Sequence, residues 1–279
     1  MNTPSKPKRT KKFIRPSKFK IRKGTLESPS SQLRWSVNGA SRLGKVRSEN
    51  QDAYDFLRIS SDEAFFVVCD GAGGLPGGKE AAETAVQVII MTLQDIHREA
   101  FEPTACLELA IEEARCVAKD HGLPGITTAI IAHVKGRMLH YATLGDGTLS
   151  AIWPDGMVNH IQTPHHIHGQ SSNIIGAYIG QDCQVPARTG SSRIEVGTSL
   201  LLMSDGCSDL FPYDNFAQDR LDYSAIMGGG TDVPLADKLL EQIEAARDPD
   251  TDAYLHHDNM TLILAHLHEE EINRQADHV

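Results

Sequence analysis

Four apolar segments of the chain each end or begin at an aspartate that stands beside a glycine or asparagine. The four pairs are Asp70-Gly71, Asp146-Gly147, Asp205-Gly206 and Asp258-Asn259. One Asp-Gly pair is an ordinary turn signal. Four in one chain constrain the fold more strongly, because the ends of neighbouring strands can converge at one edge of a sandwich. The sequence therefore predicts a group of carboxylates at such an edge.

The order of the apolar segments predicts the fold class. The continuous run 65–68 is typical of a strand buried on both faces, and apolar residues at helical spacing predict helices over about 78–99 and 104–119. Further predicted elements are hairpins at 127–144, 149–161 and 193–203, a long polar surface loop at 162–190, a helix at 234–246 and a strand at 260–266. Hairpins with inserted helices favour an α+β fold with two stacked antiparallel β-sheets, a β-sandwich flanked by helices.

Charge divides the chain into a basic tail and an acidic body. Ten of the 27 Lys and Arg residues lie between Lys6 and Lys23, which leaves 17 basic against 37 acidic residues elsewhere. We expect a flexible basic tail over 1–31, a folded domain over 32–268 and a C-terminal tail over 269–279. The tail is either a solvated arm or an arm that contacts an acidic partner, nucleic acid or anionic lipid. The acidic body suits divalent metal better than nucleic acid.

Composition also bears on where such a chain works. The five cysteines are an odd number without a CxxC pair, which argues against a disulfide framework or a cysteine-rich zinc site and favours a reducing compartment. No apolar run is long enough to span a membrane, and the N-terminus lacks the apolar segment of a signal peptide. We therefore expect a cytoplasmic protein, and we expect a monomer.

The grouped carboxylates indicate the chemistry. Several carboxylates at one edge repel one another unless a cation neutralises them. Oxygen ligands without paired Cys or His favour Mg²⁺ or Mn²⁺ over zinc. Two such ions about 3.5–4 Å apart can bind phosphate and activate water for attack. A nucleotide site is rejected, because no Gly-Lys-Ser/Thr follows the glycines after Asp70 and no Rossmann spacing is present.

Five motifs in a fixed order carry a resemblance to a known family. They are 47–53 (RSENQDA), 67–74 (VVCDGAGG), 144–147 (LGDG), 201–206 (LLMSDG) with Asp209 after it, and 257–262 (HDNMTL). The chain resembles the metal-dependent type 2C protein Ser/Thr phosphatases, in their bacterial style, from about Trp35 to Leu267. The resemblance implies a β-sandwich flanked by helices, with two or three Mn²⁺ or Mg²⁺ ions at one edge.

The resemblance also assigns roles to residues. The metal-site residues that it implies are Asp70, Gly71, Asp146, Asp205, Asp209 and Asp258. Among them Asp70 bridges two ions, Gly71 contributes its carbonyl, Asp146 serves a third ion, and Asp209 acts through water. Two other residues are implied in catalysis. Arg47 binds the substrate phosphate, for which a guanidinium fork is well shaped, and Asp52 lies beside the metal-bound waters.

The implied reaction is direct attack of a metal-bridging hydroxide on the phosphorus of phosphoserine or phosphothreonine in a protein, opposing a cognate Ser/Thr kinase. Two positions depart from the family pattern: Ala72 replaces a histidine that some relatives have as a proposed general acid, and Gln51 stands where many have glutamate. An alternative is a weak or inactive pseudophosphatase that binds phosphoproteins as a regulator. A third option is a phosphatase of small metabolites.

Overall fold

The computed structural model of the protein describes residues 31–72, 76–96, 102–162, 176–208, 235–247 and 258–271. Residues 1–30 of the predicted basic tail and residues 97–99 of the first predicted helix lie outside this part. The domain boundaries proposed from the sequence therefore stay predictions.

Ten strands and four helices make up the described part of the chain. The strands are β1 (Ser31–Arg42), β2 (Asp52–Arg58), β3 (Glu63–Asp70), β4 (Ala129–Lys135), β5 (Met138–Leu144), β6 (Thr148–Ile152), β7 (Val158–His160), β8 (Arg188–Arg193), β9 (Ser199–Met203) and β10 (Met260–Glu271). The helices are α1 (Gly78–Ile96), α2 (Pro103–Asp120), the single turn α3 (Asp205–Ser208) and α4 (Leu235–Ala245). No helix among the described residues is both long and apolar enough to cross a membrane.

The strands form two five-stranded sheets in which every neighbouring pair is antiparallel. Sheet A has the order β1-β10-β9-β6-β7, and sheet B has the order β2-β3-β4-β5-β8. The first and last strands pair along their whole length, from Ser31 with Glu271 to Arg42 with Met260. The predicted α+β sandwich is thereby confirmed. The last strand also continues beyond residue 268, where the sequence suggested a boundary.

Apolar side chains fill three layers. Between the sheets, fully buried residues such as Trp35, Phe66 and Leu202 alternate along their strands with residues that face the other way. Helices α1 and α2 cover the outer face of sheet B, where Ile89 and Ile111 are fully buried. Helix α4 covers the outer face of sheet A. The apolar stripes of the helices are therefore core packing, as their spacing predicted.

The predicted hairpin at 193–203 is wrong. The strand before the turn is β8, which lies at the edge of sheet B against β5, whereas β9 lies inside sheet A between β6 and β10. Strand β8 reads RTGSSR and is partly exposed along its length. A polar edge strand has no apolar alternation, so its residues 188–190 were interpreted as part of the predicted surface loop. Residues 163–175 of that loop lie outside the described part.

Antiparallel order brings the motif-bearing strand ends to one edge. We call it the catalytic edge, because it holds the residues that the resemblance implies in catalysis. Strands β3, β5 and β9 end there at Asp70, Leu144 and Met203, and β2 begins there because Asp52 is the register partner of Asp70. Strand β10 begins at the same edge, where Met260 pairs with Arg42 at the end of β1. The expected convergence of strand ends is therefore present, and it draws residues from both sheets.

Candidate functional site

The backbone of Asp70 is fixed by two threonine hydroxyls at the end of β3. The Asp70 N–H donates to Thr128 Oγ1 at 3.1 Å, and Thr127 Oγ1 donates to the Asp70 carbonyl at 2.8 Å. The Asp70 carbonyl also accepts the Thr128 N–H at 2.9 Å, so both backbone groups of Asp70 are hydrogen-bonded where the strand ends. The backbone that carries the Asp70 carboxylate is therefore fixed at the catalytic edge.

Asp52 is buried beside Asp70 with one of its oxygens unsatisfied. Ser204 Oγ donates to Asp52 Oδ2 at 2.9 Å, whereas Asp52 Oδ1 is buried and accepts no hydrogen bond. Burial raises the pKa of Asp52 to about 6; the charge of Asp205 adds to the rise, while hydrogen bonds from Thr261 and Ser204 oppose it. Asp52 thus titrates close to neutral pH, in the range useful for proton transfer.

The side chains of Asp70 and Asp205 interact, and the pKa of each is raised. Burial is the main cause in both. The charges of Asp52 and Asp205 raise the pKa of Asp70 further, and the charge of Asp258 raises that of Asp205. Asp205 Oδ1 is buried without a hydrogen-bond partner. Negative charge is therefore in surplus at this edge, and carboxyl protons or cations must offset it.

Arg47 reaches this group from the loop between β1 and β2. Its Nε donates to Asp258 Oδ1 at 2.7 Å, and its Nη2 pairs with Asp258 Oδ2, so the guanidinium grips the carboxylate with two bonds. The hydrogen bond with Asp258 raises the pKa of Arg47 above its usual value. The Asn259 N–H also donates to Asp258 Oδ1, at 2.8 Å. A guanidinium group whose shape suits phosphate binding is therefore held next to the carboxylates.

Gly71 is required at its position by close packing. A Cβ there would lie 2.3 Å from the Gly78 carbonyl oxygen, so any larger residue would collide with backbone. The Gly71 N–H donates to the Gln51 carbonyl at 3.2 Å. Gln51, one of the two departures from the family pattern, therefore takes part in the site through its backbone, which a change of side chain leaves intact.

Asp146 follows β5 in a turn that only glycine forms easily. Gly145 has φ +106°, in the left-handed region. Asp146 is buried, and its charge contributes to the raised pKa of Asp70. The structure thus brings together Arg47 and the predicted carboxylates of β2, β3, the β5–β6 turn, α3 and the start of β10. Asp209, the remaining predicted ligand, lies outside the described residues.

The donor set suits Mg²⁺ or Mn²⁺ in its chemistry. It consists of carboxylate oxygens without Cys or His, and the Oδ1 atoms of Asp52 and Asp205 are buried acceptors without donors. As the side chains stand, no three His, Cys, Asp or Glu residues in the described ranges are arranged to hold a metal ion together. Arg47 pairs with Asp258 instead, and the side chain of Asp70 interacts with those of Asp52 and Asp205. Binding a cation requires these pairs to open.

The sequence did not indicate the residues that hold the carboxylates in position. Thr127 and Thr128 hold Asp70, Ser204 holds Asp52, and Asn259 donates through Nδ2 to the Glu49 carbonyl at 3.2 Å. Ser204 and Asn259 stand inside the recognised motifs, next to Asp205 and Asp258. Their polar side chains directly beside a predicted ligand were the available signal.

Comparison with known proteins gives consistent results. A model of the family described as protein phosphatase 2C matches residues 39–244, well over half of the 279-residue chain. The protein phosphatase PhpP of Streptococcus pneumoniae is 25% identical over 250 residues, which span 82% of this chain and 96% of PhpP. A putative protein phosphatase of Mycoplasma genitalium is 35% identical over a shorter stretch of 66 residues, 24% of this chain and 25% of that protein.

Solved structures share the fold. Serine/threonine phosphatase Stp1 from Staphylococcus aureus has a TM-score of 0.64 at 20% identity, covering 88% of this chain and 98% of its own. The serine/threonine phosphatase of S. agalactiae has a TM-score of 0.61 at 21% identity, covering 83% and 99%. The catalytic domain of the phosphatase PstP, solved in complex with two manganese ions, has a TM-score of 0.60 at 19% identity, covering 85% and 100%.

Proposed function

The chain belongs to the protein phosphatase 2C family, and from this premise we propose that it removes phosphate from phosphoserine and phosphothreonine in proteins, using divalent cations bound at the catalytic edge. The observation that carries the proposal is the group of carboxylates around Asp70, whose pKa is raised by burial and by its acidic neighbours. Asp52 and Asp146 are buried in this group, and Asp205 and Asp258 are half-buried. An edge with this surplus of negative charge is matched to cations rather than to a neutral ligand.

The proposed metal ligands are the carboxylates of Asp70, Asp205 and Asp258 and the carbonyl of Gly71. Asp146 is the proposed ligand of a third ion, and Asp209 is proposed to act near the second ion through water. Two manganese ions in the related fold of PstP support a pair of ions here, and the oxygen-only donor set supports Mn²⁺ or Mg²⁺. Such ions supply the charge that activates water for attack on phosphorus and offsets the negative charge that develops on the leaving oxygen.

The chain's own residues supply binding and proton control. Arg47 binds Asp258 with two hydrogen bonds. In the proposed reaction Arg47 releases this carboxylate and binds two oxygens of the substrate phosphate, because both groups fit the planar guanidinium. Asp52 is the proposed proton-transfer group, because it lies buried beside Asp70 and burial favours its protonated form. Ala72 has no proton to give, so the leaving oxygen takes its proton from water or from a neighbouring acid.

A phosphoprotein substrate implies a Ser/Thr kinase that produces it, and we include such a kinase in the proposal. The binding-only alternative receives no support from this edge. Asp70, Asp205 and Asp258 are all present there, together with the hydroxyl and amide groups that position Asp70 and Asp258. A regulator that only binds phosphoproteins would not need this set of carboxylates.

Hydrolysis of an aryl phosphate tests the proposal directly. Purified full-length protein is assayed with Mn²⁺, with Mg²⁺ and with chelator, beside an Asp205→Asn variant of matched fold. We expect turnover that depends on metal and is lost in the variant. Folded parent protein that shows no turnover with either metal would refute the catalytic proposal and return the pseudophosphatase alternative to first place.

A further inference from the structure

The loop that carries Arg47 also presents two exposed apolar side chains. We call residues 43–47 the Arg47 turn. Leu43 is 47% exposed and Val46 is 68% exposed, the largest exposed fraction among the described large apolar residues. Scattered exposed apolar residues are normal on protein surfaces. This pair differs because it occupies a single short turn next to the proposed phosphate-binding arginine.

Hydrogen bonds and close packing fix the backbone of the Arg47 turn. The Arg47 N–H donates to the Gly44 carbonyl at 3.2 Å, which closes the turn, and the Gly44 N–H donates to Asn259 Oδ1 at 3.3 Å. Gly44 is buried against the catalytic edge so closely that a Cβ would lie 2.1 Å from the Asp258 carbonyl oxygen. The backbone is thus fixed to Asp258-Asn259 while Leu43 and Val46 remain in solvent. Pre-organised apolar groups bind with little loss of conformational entropy.

We propose that Leu43 and Val46 form the substrate-recognition surface of the enzyme and bind an apolar side chain next to the phosphorylated residue of a protein substrate. The inference rests on the proposed function, because it is Arg47 that would fix the position of the phosphate. Val46 is next to Arg47 in the chain, and Leu43 lies in the same closed turn, so residues that flank a phosphate held by Arg47 come near these two side chains. Covering Val46 removes apolar surface from water, which favours an apolar neighbour over a polar one.

The test compares two phosphothreonine peptides that differ only in the residues on either side of phosphothreonine, leucine in one and serine in the other. For the parent with Mn²⁺ we expect kcat/KM to be about three- to tenfold higher for the leucine peptide. The Val46→Ser and Leu43→Ser variants should lose this preference, whereas Val46→Met should keep it. Val46 is exposed, so thermal melting should show these variants folded like the parent.

A matched control is Met157→Ser. Met157 is 57% exposed and lies in the turn between β6 and β7, at the edge opposite to the site. This variant should keep the parent's preference. An equal kcat/KM for the two peptides in the parent, or an equal loss of preference in Met157→Ser, would overturn the inference. A parent that sediments as a dimer while Val46→Ser sediments as a monomer would also overturn it, by assigning the turn to a second copy of the chain.

The outcomes separate this inference from the proposed function. If the parent hydrolyses aryl phosphate with Mn²⁺ but shows no preference between the peptides, only the recognition surface is refuted. If the parent hydrolyses neither aryl phosphate nor either peptide, the proposed catalysis fails and the recognition surface fails with it.

Discussion

The two ends of strand β3 each carry a carboxyl group, but the charges around these two groups differ. Glu63 begins the strand and is buried, and two cations or potential cations on β4 face it: His133 Nε2 lies 3.0 Å from Glu63 Oε1, and Lys135 Nζ lies 3.2 Å from Oε2. Asp70 ends the strand among three other aspartates that raise its pKa. One end is neutralised by the protein, and the other keeps an excess of negative charge.

This contrast separates charge that serves the fold from charge that serves the site. A buried carboxylate is tolerated where the chain provides partners within hydrogen-bond distance. At the catalytic edge Arg47 pairs with Asp258. Because the fold does not balance the remaining carboxylates there, that edge should be less stable without bound cations and should gain stability from them.

Replacement of Asp70 should have the largest effect. Asp70→Asn keeps the shape of the side chain but removes one charge from the site, so we expect metal-dependent turnover to fall by about a hundredfold or more. In chelator the same variant should melt at a higher temperature than the parent, because repulsion among the carboxylates is relieved. Aryl phosphate kinetics and thermal melts check both parts. A variant that lost activity and also melted at a lower temperature in chelator would contradict the view that Asp70 is destabilising without cations.

Glu63→Gln should have the opposite pattern. It removes the carboxylate that His133 and Lys135 face, and a weakened buried hydrogen-bond pair costs about 1–3 kcal/mol of unfolding free energy. Turnover per folded molecule should be unchanged, because Glu63 begins the strand that Asp70 ends. Denaturant unfolding and aryl phosphate kinetics on the same preparation test the pair of expectations. If Glu63→Gln slowed turnover as Asp70→Asn does, the two ends would not be separable.

The pH dependence of stability should also distinguish chelated from metal-loaded protein. The pKa of Asp52 is about 6 in the folded protein, compared with 3.8 for an unperturbed aspartate. The stability linked to this raised pKa is complete below 3.8 and is lost as pH rises through 6. In chelator we therefore expect unfolding free energy to fall by about 1–2 kcal/mol between pH 5 and 7. With Mn²⁺ the trend should reverse, because cations bind the deprotonated carboxylates.

Thermal melts at pH 5, 6 and 7, with chelator and with Mn²⁺, measure this dependence. Asp52→Asn is the control, and its chelated form should show a smaller loss between pH 5 and 7 than the parent. If the parent in chelator became more stable from pH 5 to 7, deprotonation of the carboxylates at the catalytic edge would not destabilise the fold, and the prediction would be wrong.

The sequence predicted one end of β3 far better than the other. Asp70 was found because an apolar run that stops at Asp-Gly is a local pattern. Glu63 and His133 pair across 70 residues, and Arg47 and Asp258 across 211, so no local pattern indicates either pair. The polar strand β8 was missed for the related reason that its place at a sheet edge is set by β5. Patterns located the strand ends, whereas long-range packing decided which side chains meet.

The smallest effect should come from the hydroxyl that supports Asp52. Ser204 donates to Asp52 Oδ2 at 2.9 Å and accepts the Thr261 N–H at 3.0 Å, and its bond to Asp52 lowers the pKa of that carboxyl. Ser204→Ala should therefore cost about 1 kcal/mol of unfolding free energy, and it should raise the pKa of Asp52. Since Asp52 is a proposed proton-transfer group, the acidic limb of the pH–rate profile should move to higher pH.

Ser199→Ala is a matched control. Ser199 is a buried serine at the beginning of β9, the strand that Ser204 directly follows, and its Oγ lies 2.8 Å from His266 Nδ1. It removes a comparable hydrogen bond at the end of sheet A that is remote from the carboxylates, so it should lower stability without moving the pH–rate profile. If both serine variants shifted the profile equally, the shift would reflect general loosening of sheet A. A shift confined to Ser204→Ala would show that the hydroxyl tunes Asp52, which is what separates the catalytic edge from the rest of the sandwich.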